Sequence, residues 1–183
     1  VESRLNRSLM AKGNTTAGHT LTARTISCLS EVDEGEWDAC AGTANPFLSY
    51  AFLHALEESG SCTAQTGWLP QHLLLEDHNH ELVGAMPMYL KGHSQGEYVF
   101  DHNWAHAFEN AGGRYYPKLQ VSVPFTPATG PRLLVSPGKD QEKTRQLLIR
   151  AATQVADKLG VSSLHVTFTT ESEWRLMGNN GLL

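Results

Sequence analysis

Tyr115-Tyr-Pro-Lys-Leu-Gln-Val-Ser-Val-Pro-Phe-Thr-Pro-Ala-Thr-Gly-Pro-Arg-Leu-Leu-Val-Ser-Pro-Gly138 is the stretch on which the fold turns. Two apolar runs within it, Leu119–Val123 and Leu133–Val135, predict short strands. Between them, Pro124, Pro127 and Pro131 rule out a continuous central strand, because proline has no N–H to give to a ladder. The backbone there is stiff and irregular, and it presents Phe125, Thr126, Thr129 and Arg132. Two outcomes stay open for it: a functional loop on a strand scaffold, or a tight crossover that only turns the chain.

Downstream, Lys139–Leu159 carries Leu147, Leu148, Ala151, Ala152, Val155, Ala156 and Leu159 at helical spacing and stops at Gly160. Val161–Thr169 alternates, with Leu164, Val166 and Phe168 on one face, and predicts a strand. Thr170 with Glu173 is the pattern of a capping box opening a last helix. Upstream, Thr22–Leu29 predicts a first strand, and Asp33 with Glu36 a short capped helix around Trp37. Asn45-Pro46 predicts the cap and first position of a second helix, which ends at Ser59-Gly60. Gln71–Glu76 and Leu82–Leu90 flank the polar turn Asp77–His80 and predict an antiparallel hairpin, with Pro87 marking an edge or a bulge. Glu97–Phe100 is a further short strand, and Asp101–Gly113 is either a short helix or an ordered loop.

The order is that of an α+β domain with a mixed, mostly antiparallel sheet flanked by helices. At 183 residues, 40% hydrophobic and 18% charged, the chain has the make-up of one globular domain rather than a disordered segment. A net charge of -5 gives no strong nucleic-acid signal and no general attraction to anionic membranes. No apolar run reaches the roughly 18 residues of a membrane span. Cys28, Cys40 and Cys62 are far apart and form no Cys-x-x-Cys pair, which fits a reducing, cytoplasmic setting. Residues 1–21 are polar and predict a flexible tail, and residues 22–183 a single lobe. The chain begins at Val1 with Met10 inside it and stops just after a short helix, where a further strand is expected. A truncated lobe of a longer protein is the expectation.

Several clusters carry chemistry. Asp101-His102-Asn103-Trp104 follows a predicted strand end, where ligand sites gather. Asp101 or His102 is a candidate general base and Trp104 a candidate substrate-binding residue, although Trp104 taken alone fits as an anchor of the loop to the core. Tyr115 or Tyr116 is a candidate acid, and Lys118 a candidate holder of phosphate or carboxylate. Arg132 is the guanidinium of the proline-rich segment and a candidate for anion recognition, with Phe125 and Thr126 as candidate substrate-binding residues beside it. His102, His106 and Glu109 share one helix face, as metal ligands can, but spacing of this kind is common among surface histidines and no metal is expected. Ser136 and Gly138 lie in a strand-to-helix turn where a cofactor pyrophosphate could dock. Only one glycine is present there, and Asp140 suits an ordinary helix cap better.

Three motif strings occur in order: Asn45-Pro46-Phe47-Leu48-Ser49-Tyr50 with Phe52 to Gly60; Gly84-Ala85-x-Pro87-x-Tyr89-x-Lys91 running on to Asp101; and Tyr116-Pro117-Lys118-Leu119 with Pro124-Phe125-Thr126-Pro127-Ala128-x-Gly130-Pro131-Arg132-Leu133. Together they resemble the FemAB-like group of the GNAT acyltransferase superfamily, from about Thr22 to the C-terminus. The resemblance implies a GNAT-like fold, and a chain that is the N-terminal lobe of a two-lobed protein. It implies transfer of an acyl or aminoacyl group to an amine of a small-molecule or peptide-like acceptor, in peptidoglycan or cell-wall precursor synthesis. Acyl-CoA or aminoacyl-tRNA would be the donor, used as a substrate rather than held as a tight cofactor. The Val135–Asp140 turn departs from the glycine-rich pattern of the superfamily. A second reading therefore stands beside the first: a non-catalytic module that recognises a peptide or cell-wall fragment.

Overall fold

The computed structural model describes residues 21–182. The expected tail, but for Leu21, lies outside them. Eight strands and five helices follow one another among the described residues: β1 (Thr22–Ile26), α1 (Glu34–Ala41), α2 (Tyr50–Glu58), β2 (Trp68–Pro70), β3 (His72–Glu76), β4 (Leu82–Met86), β5 (Met88–Lys91), α3 (His102–Asn110), β6 (Lys118–Val121), β7 (Leu134–Val135), α4 (Gln141–Leu159), β8 (Leu164–Val166) and α5 (Glu171–Asn179).

The helix caps lie where local chemistry puts them. Asp33, Asp140 and Thr170 each accept from the backbone N–H three residues on, at the starts of α1, α4 and α5. The reciprocal halves of the two predicted boxes are used elsewhere. Glu36 accepts from the Leu82 N–H at 3.4 Å, and Glu173 holds the backbone of Arg132 and Leu133. Asn45 caps only a single 3-10 turn, Pro46–Leu48. The second helix starts one turn later, at a cap made by Ser49.

The strands form two four-stranded sheets rather than one mixed sheet, in the orders β1-β3-β4-β7 and β2-β5-β6-β8. All neighbours are antiparallel except β6 and β8, which run parallel. The predicted hairpin exists but is longer and bent. Its inner half pairs β3 with β4 in the first sheet, and its outer half pairs β2 with β5 in the second. The bends fall at Gln71 and Pro87, joined by the Gln71 N–H to Met88 carbonyl bond of 2.8 Å. Pro87 thus marks neither an edge nor a bulge but the point where the chain passes between sheets, and a residue without an N–H suits that break. Glu97–Phe100 forms no strand. Asp101–Gly113 resolves into α3 and a turn.

One core packs α4 on the sheets through Leu148, Ile149, Ala152 and Val155 against Leu73, Leu75, Met86, Met88, Leu119 and Val121. Gly84 lets α4 approach. A Cβ there would lie 2.9 Å from Thr144 Cγ2 and 3.1 Å from the Leu134 carbonyl oxygen. A second core gathers Trp37, Leu48 and Leu53 against Ile26, Leu74, Ala85 and Leu134 on the other face of the first sheet. No described helix is long and apolar enough to cross a membrane.

Candidate active site on the polar face of the second sheet

Side chains alternate across a strand, so each strand of the second sheet shows a different chemistry on each face. Met88, Leu90, Leu119, Val121, Leu164 and Val166 face the α4 core. The register places Lys91 opposite both Trp68 and Lys118, Tyr89 opposite Gln120, and Gln120 opposite His165. The other face is therefore built from Trp68, Tyr89, Lys91, Lys118, Gln120 and His165, with Ser122 just beyond β6. In a free sheet these residues would meet water. Here Lys91, Lys118, Gln120 and Tyr89 are wholly buried, and the Gly92–Asp101 and proline-rich loops reach this face through Gln95, Glu97, Asp101 and Phe125. The two loops touch where the Phe125 N–H donates to the Gly96 carbonyl at 3.2 Å.

Burying lysines is costly unless each finds a partner. Lys118 Nζ donates to Glu97 Oε2 at 2.8 Å, to Asp101 Oδ2, and to His165 Nδ1 at 3.4 Å. Tyr115 and Tyr116 donate their hydroxyls to the two oxygens of Asp101, each at 2.8 Å. Lys91 Nζ lies 3.5 Å from the centre of a Trp68 ring, donates to the Gln95 carbonyl, and is 3.9 Å from Glu97 Oε1. Burial alone would raise the Asp101 carboxyl. The hydrogen bonds from Lys118, Tyr116 and Tyr115 outweigh it and hold the group well below the usual carboxylate range. Burial also pushes the Tyr116 phenol up, and with the pull of Asp101 it reaches about 12 against a contrary bond from Ser94. Burial lowers Lys91 to about 8, and lowers His165, with the Lys118 charge acting in the same direction. Because Lys118 can only donate, His165 Nδ1 must accept. The neutral ring then carries its proton on Nε2.

Four of the predicted residues thus meet in one network: Asp101, Tyr115, Tyr116 and Lys118. His102 opens α3 at its mouth. The ring of His102 stacks on Phe100, and its Nδ1 is 3.4 Å from Ser94 Oγ. Trp104 is 76% exposed, so it does not anchor the loop to the core as expected. Phe125 packs against Trp68, with ring centres 5.5 Å apart, and Thr126 Oγ1 donates to the Pro124 carbonyl. Arg132 is wholly buried. Its guanidinium donates to the carbonyls of Thr167, Pro131 and Ala128, bracing the proline-rich loop from inside. Ser136 and Gly138 lie apart from the network, since Val135 pairs with Gly84 at the far end of the β4–β5 run from Lys91. His106 accepts from Asn110 at 3.2 Å while His102 turns toward Ser94.

Lys91, Glu97, Gln120, Ser122 and His165 escaped sequence reasoning. Among the described residues, the buried side-chain atoms without a hydrogen-bond partner are Tyr89 Oη, Glu97 Oε1, Gln120 Oε1 and Ser122 Oγ. All four belong to this face or its cover. Each such group costs about 1–3 kcal/mol when it is left without a partner.

The fold and this layer define a mixed α+β domain whose second sheet turns a buried, charged face toward a loop-covered site. A family model described as peptidoglycan biosynthesis/recognition matches residues 28–183, and the chain belongs to this FemAB-like family. No curated protein matches it.

Proposed function

We propose that the chain is a GNAT-like N-acyltransferase lobe, which transfers an acyl or aminoacyl group to an amine of a peptide-like cell-wall precursor. The observation that carries this reading is the convergence of Asp101, Tyr115, Tyr116 and Lys118 in one network with His102 at its mouth. The parallel β6–β8 pair in an otherwise antiparallel strand set supports the fold assignment.

The roles divide by accessibility and acidity. Asp101 is held as an anion by three donors and is a poor base, which leaves that role to His102. The acceptor nitrogen attacks the acyl carbon and forms the new C–N bond while His102 takes its proton. The bond from the carbonyl carbon to the leaving sulfur or oxygen breaks, and the leaving atom is protonated by Tyr116, the outer of the two tyrosines. Ser94, within reach of both His102 and Tyr116, returns the proton to the phenol. Tyr115, Lys118 and Glu97 position these groups.

The test is transfer of a labelled acyl group from acyl-CoA or aminoacyl-tRNA to an amine-bearing precursor peptide. His102→Gln and Tyr116→Phe are each expected to lower the rate about 10²-fold or more. Unchanged rates in both variants would sink the assignment. The non-catalytic recognition reading is favoured by one observation: Lys118 and Arg132 are both buried and engaged, which leaves neither free for a donor pyrophosphate. Calorimetric titration with acetyl-CoA separates the two readings, since micromolar binding belongs to the first and no binding by a folded chain to the second.

A further inference from the structure

Seven large hydrophobic side chains are exposed among the described residues, and six of them gather on the cover of the polar sheet face: Tyr98, Val99, Phe100, Trp104, Phe108 and Phe125. Three features set this surface apart from ordinary scattered exposure. First, its exposed fixed charges lie only at one edge, where Glu109 follows Phe108 and Arg114 follows Gly113. Between Tyr98 and Phe108 the one charged residue is Asp101, which is buried against Lys118, and residues 121–131 have none. Second, it protrudes. In α3 only Ala105 is buried; Trp104 stands outward, Phe108 lies half exposed over Gly113 and Tyr115, and Phe100 is 67% exposed. Third, its backbone is strained at two of its aromatic residues. Tyr98 and Phe125 have φ of 60° and 57°, a left-handed conformation that disfavours bulky residues and is kept where function requires it.

We infer that this surface docks on the interface of a zwitterionic lipid bilayer, with the aromatic tips entering the headgroup region. Its residues are mostly aromatic rather than aliphatic, and Trp and Tyr partition to that boundary because they join an apolar body to a polar tip. Protruding rings suit a deformable phase. A single Arg114 at the edge, offset by Glu109 on a chain of net charge -5, gives none of the attraction to anionic headgroups that polybasic surfaces use. The chain would lie on the membrane, not span it. Docking there would set the His102 mouth of the proposed site against the bilayer, but the inference stands without that site.

The experiment uses phosphatidylcholine vesicles and the full chain carrying Trp174→Phe. Trp37 and Trp68 are wholly buried, so Trp104 then reports alone from the surface. Vesicles should shift its emission to the blue, and brominated phosphatidylcholine should quench it. Affinity should change less than about twofold between about 0.05 and about 0.5 M salt, and anionic vesicles should bind no more tightly. Because Trp104 is the reporter, a second readout, vesicle co-sedimentation, is used for Phe100→Ser with Trp104→Ser, where binding should fall about tenfold or more. The inference is overturned by no blue shift and no quenching, by binding confined to anionic vesicles and abolished by salt, or by a concentration-dependent dimer that hides Trp104 without lipid. The last result would assign the surface to a second copy of the chain.

Discussion

Lys118 reaches its partners from the first residue of β6, and its charge makes sense only beside Asp101 and Glu97. Asp101→Asn keeps the shape and removes one of the two carboxylates. With Glu97 remaining, the loss at neutral pH should be roughly 2–4 kcal/mol, somewhat below the about 3–5 typical of a buried pair broken outright. The sign of the pH effect follows from the depressed carboxyl. Its contribution is complete above the unfolded value near about 4 and drains away as pH falls toward the lower folded value. Urea midpoints should therefore fall below about pH 4 in the wild type and fall less steeply in Asp101→Asn. Equal acid slopes in the two proteins would remove Asp101 from the account. Glu173 invites a parallel test. It is 4% exposed and accepts from the N–H groups of Arg132 and Leu133 at 2.7 and 3.1 Å and from Thr169 Oγ1. Glu173→Gln should cost about 1–3 kcal/mol in thermal or urea unfolding, because an amide cannot accept at both ends.

At the scale of elements, α4 is held against β4 by the small residue at position 84. Gly84→Ala would push against Thr144 and the Leu134 backbone. It should destabilise by about 1–3 kcal/mol with the helix content of the circular dichroism spectrum kept, and a neutral result would mean that α4 shifts without penalty. Helices α1, α4 and α5 were the legible elements. The α4 stripe and the Asp33, Asp140 and Thr170 caps depend on residues within one or two turns of each other. The bent hairpin was half legible. Its turn and the β3–β4 pairing follow from composition, but the passage between sheets at Pro87 depends on a second sheet that local sequence does not reveal. The polar face was illegible for a similar reason. Lys91, Lys118, Gln120 and His165 alternate with apolar residues, which is the pattern of a strand with one wet side. Nothing within β5, β6 or β8 says that two distant loops will cover that side.

For the whole molecule, the aromatic cover and the buried charged layer are separable. Phe100 and Trp104 are mostly exposed, so the double serine variant should unfold within about 0.5 kcal/mol of the wild type. A larger loss in calorimetry or urea denaturation would make these rings part of the fold and not a surface for a partner. The sequence by itself determined the α+β class, the long α4 helix, the caps, the stiff proline-rich loop and the family, because these rest on short-range spacing and on an ordered string of motifs. It also brought Asp101, Tyr115, Tyr116 and Lys118 forward as candidates. Only the tertiary structure decided that they share one network with Glu97, Lys91 and His165, that Arg132 is an internal brace, and that Trp104 faces outward. The physical reason is burial. Whether a lysine, an arginine or a tryptophan lies in water or in the interior depends on what the distant parts of the chain place over it, and that coverage sets its partners, its charge and its chemistry.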